Sequence, residues 1–250
     1  MYDAVLAETV TITSGDGTPI EAYSARPLNP GPVGGVILIH HLPGYDRETK
    51  EFARTFAAAG FNAVVPNLYH REAPGAAPDD AMATARAQGK LPLPNERVVA
   101  DASGAAAYLR GLSNSNGKVG VIGHCSGGYH AFLVATSIPV DAVVDCYGGW
   151  IVNPPPGQHP LAGVPQLLDR VPRLEAPVLG LFGSEDASPS PENVTQLEDA
   201  LRANDKTYEF YSYEGAGHAF FSVDRPSYRP DAAVDGWKHI RAWFGQHLEG

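Results

Sequence analysis

Three residues of this chain have the chemistry of nucleophilic catalysis and occur in the order that such sites use: Cys125, Asp186 and His218. Cys125 is the centre of Gly123-His124-Cys125-Ser126-Gly127, which follows the apolar run Val119-Gly120-Val121-Ile122 and precedes a helix-compatible segment, Tyr129 to Ala135. Strand, sharp turn and helix in immediate succession form a nucleophile elbow, in which the positions two before and two after the apex must be nearly free of side chain. Gly123 and Gly127 meet that demand. A sulfur at the apex would stand above a sheet, with the free N–H groups and positive dipole end of the next helix aimed at it. Both favour thiolate over thiol. A cysteine between glycines is by itself as often a small core residue, so the partners matter. Asp186 lies just beyond the apolar run Val178 to Phe182, where a carboxylate can fix the tautomer of an imidazole. His218 ends the loop Gly215-Ala216-Gly217 after Tyr213, which can bring an imidazole back to the sulfur. Taken singly, Asp186 reads equally as a turn cap and His218 as an ordinary loop histidine.

The elements that must position these residues alternate along the chain. Thr9 to Thr13, the turn Ser14-Gly15-Asp16-Gly17 and Ile20 to Ala25 predict an opening antiparallel hairpin. Gly35 to Ile39 is a continuous apolar run, expected for a strand buried on both faces. Asp46 can cap a helix carrying Phe52, Phe56 and Ala59, which Gly60 stops before a strand from Asn62 to Pro66. Further helices are expected over Glu96 to Leu112, Pro191 to Ala203 and Asp231 to His247, with Ser113 to Gly117 a loop. Strands are expected over Asp141 to Tyr147, Pro177 to Phe182 and Tyr208 to Tyr213. Such alternation predicts one domain: a mostly parallel central sheet with helices on both faces. Two proline-rich excursions, about 67–95 and 148–172, interrupt it and are expected as lid-like borders of a pocket. Ligands of parallel sheets bind at the carboxyl ends of the strands. His41, Cys125, Asp186 and His218 all fall at such ends.

Composition narrows the partner. The formal net charge is −10 with no run of Lys or Arg, so neither nucleic acid nor an anionic membrane surface is expected. Two cysteines in 250 residues make no disulfide framework, and with neither a signal-like N-terminus nor a spanning apolar run the expectation is a cytoplasmic protein with a small-molecule substrate. His40-His41, with His70 or His218, invites a zinc reading, but adjacent strand residues face opposite ways and no HExxH or Cys-pair spacing is present. No metal or cofactor is expected. Cys146, at the end of the strand after the elbow, reads as a core cysteine.

The contexts of Cys125, Asp186 and His218, together with Gly60-Phe61-Asn62-Ala63-Val64-Val65-Pro66-Asn67-Leu68-Tyr69, resemble the dienelactone hydrolase family from about Gly35 through the last helix. The resemblance implies an α/β-hydrolase fold and a carboxylic ester or lactone hydrolase with a Cys-His-Asp triad. It also implies an oxyanion hole made by the backbone amides of Leu42 and Ser126. Two departures stand out. His41 occupies the position of a family glutamate, and no arginine follows His218, where Ala219-Phe220-Phe221-Ser222 stands instead; Arg225 comes later. An uncharged ester or lactone bound by His41, Trp150 and Phe220 is the expected substrate. A cationic His41, with His218 and the helix N-terminus, is expected to lower the pKa of Cys125. Acyl transfer and ligand binding without turnover on the same scaffold remain alternative readings.

Overall fold

The computed structural model describes residues 4–28, 31–152 and 164–249. One eight-stranded sheet runs through it, in the order β1-β2-β4-β3-β5-β6-β7-β8. Strands β1 (Val5–Thr13) and β2 (Pro19–Pro27) form the opening hairpin, and β2 lies antiparallel to β4 (Asn62–Pro66). The other five pairings are parallel and join β4, β3 (Val33–Ile39), β5 (Ser115–His124), β6 (Ala142–Cys146), β7 (Val178–Gly183) and β8 (Tyr208–Tyr213). This is an α/β-hydrolase fold with an antiparallel N-terminal hairpin.

The pleat sorts the apolar strands into two cores. Ile37, Ile39, Val64, Val119, Val121, Val143 and Val178 face one side, where they meet α3 (Asn95–Gly111), α4 (Ser126–Ala135) and α5 (Pro191–Ala203). Their sequence neighbours Val36, Leu38, Ala63, Val65, Ile122, Val144 and Leu179 face the other side, against α1 (Arg47–Ala58) and α6 (Pro230–Leu248). A period of two in strands buried on both faces makes each run continuously apolar while dividing it between layers. Each such fully buried side chain contributes about 1.5–3 kcal/mol, so a one-residue register slip would exchange the two cores.

The expected helices form with small shifts at their ends. Two differences are larger. The segment Ser113 to Gly117, expected as a loop, already belongs to β5 from Ser115, because Ser115 pairs with Val33 ahead of a register shift that the left-handed Gly117 (φ 86°) accommodates. The first strand begins at Val5 rather than Thr9, since β1 stays paired with β2 as far as Val5 and Pro27.

 The second excursion contains a short 3-10 helix, Leu168–Arg173, whose Arg170 reaches Thr136 Oγ1 (3.1 Å) and Ser137 Oγ (2.7 Å) at the end of α4. Its residues 153–163 lie outside the described residues.

The first excursion is anchored rather than loose. Arg71 donates twice to the buried Asp101 of α3, at 2.9 Å each, and Asp101 also accepts from Ser14 Oγ at 2.8 Å in the hairpin turn. Arg97 pairs with the buried Glu72, and Tyr69, Ala73, Ala81 and Ala85 form a small core of their own around α2 (Ala81–Ala87). Buried carboxylates with a fixed guanidinium partner hold a segment in one place, since losing the partner leaves an uncompensated charge.

One buried acid lacks such a partner. Asp145 of β6 accepts from Gly148 N (2.7 Å) through Oδ1, while Oδ2 has no partner among the described residues. Burial raises its carboxyl from 3.8 to about 7. The unfolded chain therefore releases this proton before the folded one, and stability falls as pH rises from about 4 to about 7. Asp145→Asn, which keeps the acceptor, should remove that slope. Thermal melts of both proteins across this window check it, and parallel curves would refute it.

Candidate active site

The apex of the elbow is strained. Cys125 has φ 57° and ψ −126°, its N–H donates to Cys146 O at 3.0 Å, and its own carbonyl accepts from Gly128 N at 2.9 Å. A non-glycine residue held in such a sparsely populated region costs about 1–3 kcal/mol. The flanking glycines permit the turn. A Cβ on Gly123 would lie 2.0 Å from Gly127 O, and one on Gly127 would lie 2.4 Å from Ile39 O. Tyr147 (φ 44°), Trp150 (φ 74°) and Ala219 (φ 64°) are also left-handed. Strain thus gathers at the ends of β5, β6 and β8.

His218 and Asp186 meet as expected: Nδ1 of the imidazole lies 2.8 Å from Asp186 Oδ2, and Asp186 Oδ1 accepts from Ser188 N at 2.8 Å. Their loops are fastened to each other by Glu185 N to Ala216 O (2.9 Å) and Gly215 N to Ser184 Oγ (3.0 Å). With Nδ1 committed to the carboxylate, Nε2 is the nitrogen left for the sulfur. The Tyr147 ring packs edge-on to the imidazole, 5.2 Å between centroids. Burial lowers the His218 pKa, but hydrogen bonds to Asp186 and Cys125 reverse this and raise it to about 10. Burial likewise raises the Cys125 thiol, and His218 with the amides of Ser126 and Leu42 more than offsets it, leaving the thiol below its ordinary value. The structure therefore brings Cys125, His218, Asp186, Leu42 and Ser126 together.

The Leu42 amide is held by a neighbour whose role was not legible in the sequence. His40 is buried, and burial lowers its pKa to about 4. Its Nε2 accepts from Leu68 N at 3.2 Å, so Nδ1 carries the proton and donates to His41 O at 2.8 Å. Gly44 N donates to the same oxygen at 3.0 Å. That carbonyl belongs to the peptide group that carries the Leu42 N–H, so two donors fix the plane of an amide directed at the sulfur. Tyr69 Oη donates to Leu42 O at 2.6 Å and fixes the next peptide.

His41 differs from its expectation as the cation beside the sulfur. Its Nε2 lies 2.6 Å from Asp46 Oδ2 and its Nδ1 lies 3.8 Å from Glu48 Oε2. Asp46 also caps α1 by accepting from Thr49 N at 3.0 Å, so one carboxylate both starts the helix and turns this ring. Any positive charge on His41 is matched by carboxylates at both nitrogens. Phe220 also departs from its expected place. It is fully buried in the core, 5.2 Å from the rings of Tyr147 and Tyr213, because the left-handed turn at Ala219 (φ 64°) carries the segment after His218 inward.

A cavity of about 270 Å³ opens beside the Leu42 and Ser126 amides. Leu42, Ser126, Tyr129 and Trp150 line it, together with Leu91 to Asn95 of the first excursion and Glu96 of α3. Tyr129 Oη links the two borders, lying 3.1 Å from Asn95 Nδ2 and 2.9 Å from Pro165 O. Tyr129→Phe should loosen both borders, raising KM for cavity-filling substrates several-fold with little effect on kcat. Steady-state kinetics on the variant checks this, and an unchanged KM would refute it.

Comparison with known proteins agrees with this fold. The sequence profile of the dienelactone hydrolase family matches residues 20–248. The chain is 34% identical over 249 residues to the Escherichia coli K12 protein named "Putative carboxymethylenebutenolidase", covering 98% of this chain and 89% of that one. It is 29% identical to a Bradyrhizobium protein named "Probable 2-oxo-3-(5-oxofuran-2-ylidene)propanoate lactonase", covering 92% and 90%. Among solved structures, one named "Putative Dienelactone Hydrolase from Klebsiella pneumoniae subsp. pneumoniae MGH 78578" superposes with a TM-score of 0.84 at 30% identity, covering 98% of this chain and 100% of that one. The fold, the length of the match and the level of identity together place this chain in the dienelactone hydrolase family.

Proposed function

We propose that this protein hydrolyses carboxylic esters or lactones through an acyl-enzyme on Cys125, working as a single domain with residues 67–95 and 148–172 bordering the pocket. The observation that carries the reading is the Nδ1 to Oδ2 contact of 2.8 Å between His218 and Asp186 beside a cysteine held at φ 57°. The Cys125 thiolate attacks the carbonyl carbon, and the S–C bond forms while the carbonyl electrons move to oxygen. The Leu42 and Ser126 amides stabilise that oxyanion; donors of this kind contribute about 10²–10³ in rate. Collapse breaks the C–O bond, and the leaving oxygen takes the proton from His218 Nε2. Neutral His218 then removes a proton from water, the hydroxide adds to the thioester carbon, and the C–S bond breaks. Carboxylic acid leaves, and the thiolate and imidazolium are restored. Asp186 orients His218 and balances its charge throughout.

Cys125→Ala should abolish hydrolysis of p-nitrophenyl acetate, and intact-protein mass spectrometry of the wild type in rapid-quench samples should find one acyl group on Cys125. Turnover by the variant at the wild-type rate would overturn the assignment.

The electrostatics make a separate prediction. Because the thiol is lowered and His218 is raised to about 10, the thiolate–imidazolium pair prevails at neutral pH and is lost as pH rises through about 10. Alkylation by iodoacetamide should stay fast well below the ordinary cysteine pKa of about 8.5. His218→Ala should move that profile upward, whereas His41→Gln should leave it in place, since His41 faces Asp46 and Glu48. A profile moved by His41→Gln and not by His218→Ala would reverse the assignment.

A further inference from the structure

We infer that the cavity beside Leu42 and Ser126 is an acyl site for an uncharged, apolar group of about one ring, and that the alcohol side of the substrate is left unselected. The inference deepens the hydrolase reading above and rests on it.

The direction of the substrate follows from the three groups around the sulfur. At the tetrahedral carbon the oxyanion must point to the Leu42 and Ser126 amides, and the leaving oxygen must point to His218, which supplies its proton. The remaining substituent, the acyl group, is directed away from His218 and past the amides. The cavity lies there, with Leu42 and Ser126 in its wall and His218 outside it. The His218 side chain is itself 38% exposed, so a leaving group on that side faces solvent.

The lining decides the chemistry. Leu91, Leu93, Leu68 and Trp150 supply apolar surface. Several polar groups of the lining already have protein partners: Tyr69 Oη donates to Leu42 O, Tyr129 Oη is bonded to Pro165 O, and both nitrogens of His40 are engaged, while burial lowers the His130 imidazole to about 3, so that it supplies no cation. His41 is turned to Asp46. Neither Lys nor Arg lines the cavity among the described residues, and the stretch 153–163, which follows Trp150 and Val152, contains neither in its sequence. The one acidic side chain in the lining is Glu96. A carboxylate on the acyl group would lose its hydration without gaining a cation.

The test compares kcat/KM of the wild type, each divided by the hydroxide-catalysed rate of the same ester. p-Nitrophenyl 3-phenylpropionate should exceed p-nitrophenyl acetate by about tenfold or more, as expected for burying an apolar ring. p-Nitrophenyl pentanoate should exceed the p-nitrophenyl hemiester of glutaric acid by a similar factor. Methyl, butyl and cyclohexylmethyl 3-phenylpropionates should differ by less than about threefold among themselves, the ring on the alcohol side gaining no such burial. In Trp150→Ala the preference for the phenyl-bearing acyl group should change while the order within the alcohol series stays the same. Equal rates along the acyl series, a preference for the hemiester, or stronger selection on the alcohol side would overturn the inference while leaving hydrolysis established. No hydrolysis of any ester would overturn the hydrolase reading and the inference with it.

Discussion

A backbone turn that no residue with a side chain adopts at low cost sits at the centre of this molecule, between the end of β5 and the start of α4. Cys125 is held there at φ 57° because its N–H is bonded to Cys146 of the adjacent strand and because α4 must begin at Ser126 to continue the layer. The cost, of order 1–3 kcal/mol, is offset by the packing of the sheet on both faces and by glycines at 123 and 127, where a Cβ would collide with backbone. In return the sulfur stands clear of the sheet at the N-terminus of a helix, within reach of two amides.

Everything else in the site is arranged at the same edge of the sheet by loops that hold one another. The Asp186 loop is fastened to the His218 loop, so the tautomer of the imidazole and its approach to the sulfur are set together. On the other side, His40 and Gly44 fix the peptide that bears the Leu42 amide. Preorganised donors of this kind are effective because they need no rearrangement when charge develops. The second carboxylate system, Asp46 and Glu48 around His41, is separate from the sulfur's own partners. It ties the start of α1 to the end of β3.

The borders of the cavity are made by the proline-rich segments, yet they are secured by a few buried polar contacts. Asp101 gathers the hairpin turn, the first excursion and α3, and Tyr129 reaches both sides of the opening. Such contacts have little redundancy, and buried hydrogen bonds are costly to break. The shape of the cavity border therefore depends on positions distant from the sulfur in sequence.

The amino-acid sequence by itself determined the alternation of strands and helices, the elbow with its two glycines, and the order Cys125, Asp186, His218. These are local properties: continuous apolar runs, capping residues and glycine spacing act over a few neighbours. The long first excursion and Trp150 were likewise legible as a cavity border, because proline content and length mark such segments. What only the tertiary structure decided were partners brought together across the fold. Asp46 read as a helix cap, and nothing local revealed that its second oxygen would hold His41. Phe220 read as a pocket aromatic because it follows His218, but the turn at Ala219 (φ 64°) sends it into the core. His40 carried no signal at all for its hold on the Leu42 amide. Hydrogen-bond direction and the face that a side chain presents depend on the packing of distant elements, and that packing is a property of the whole sheet.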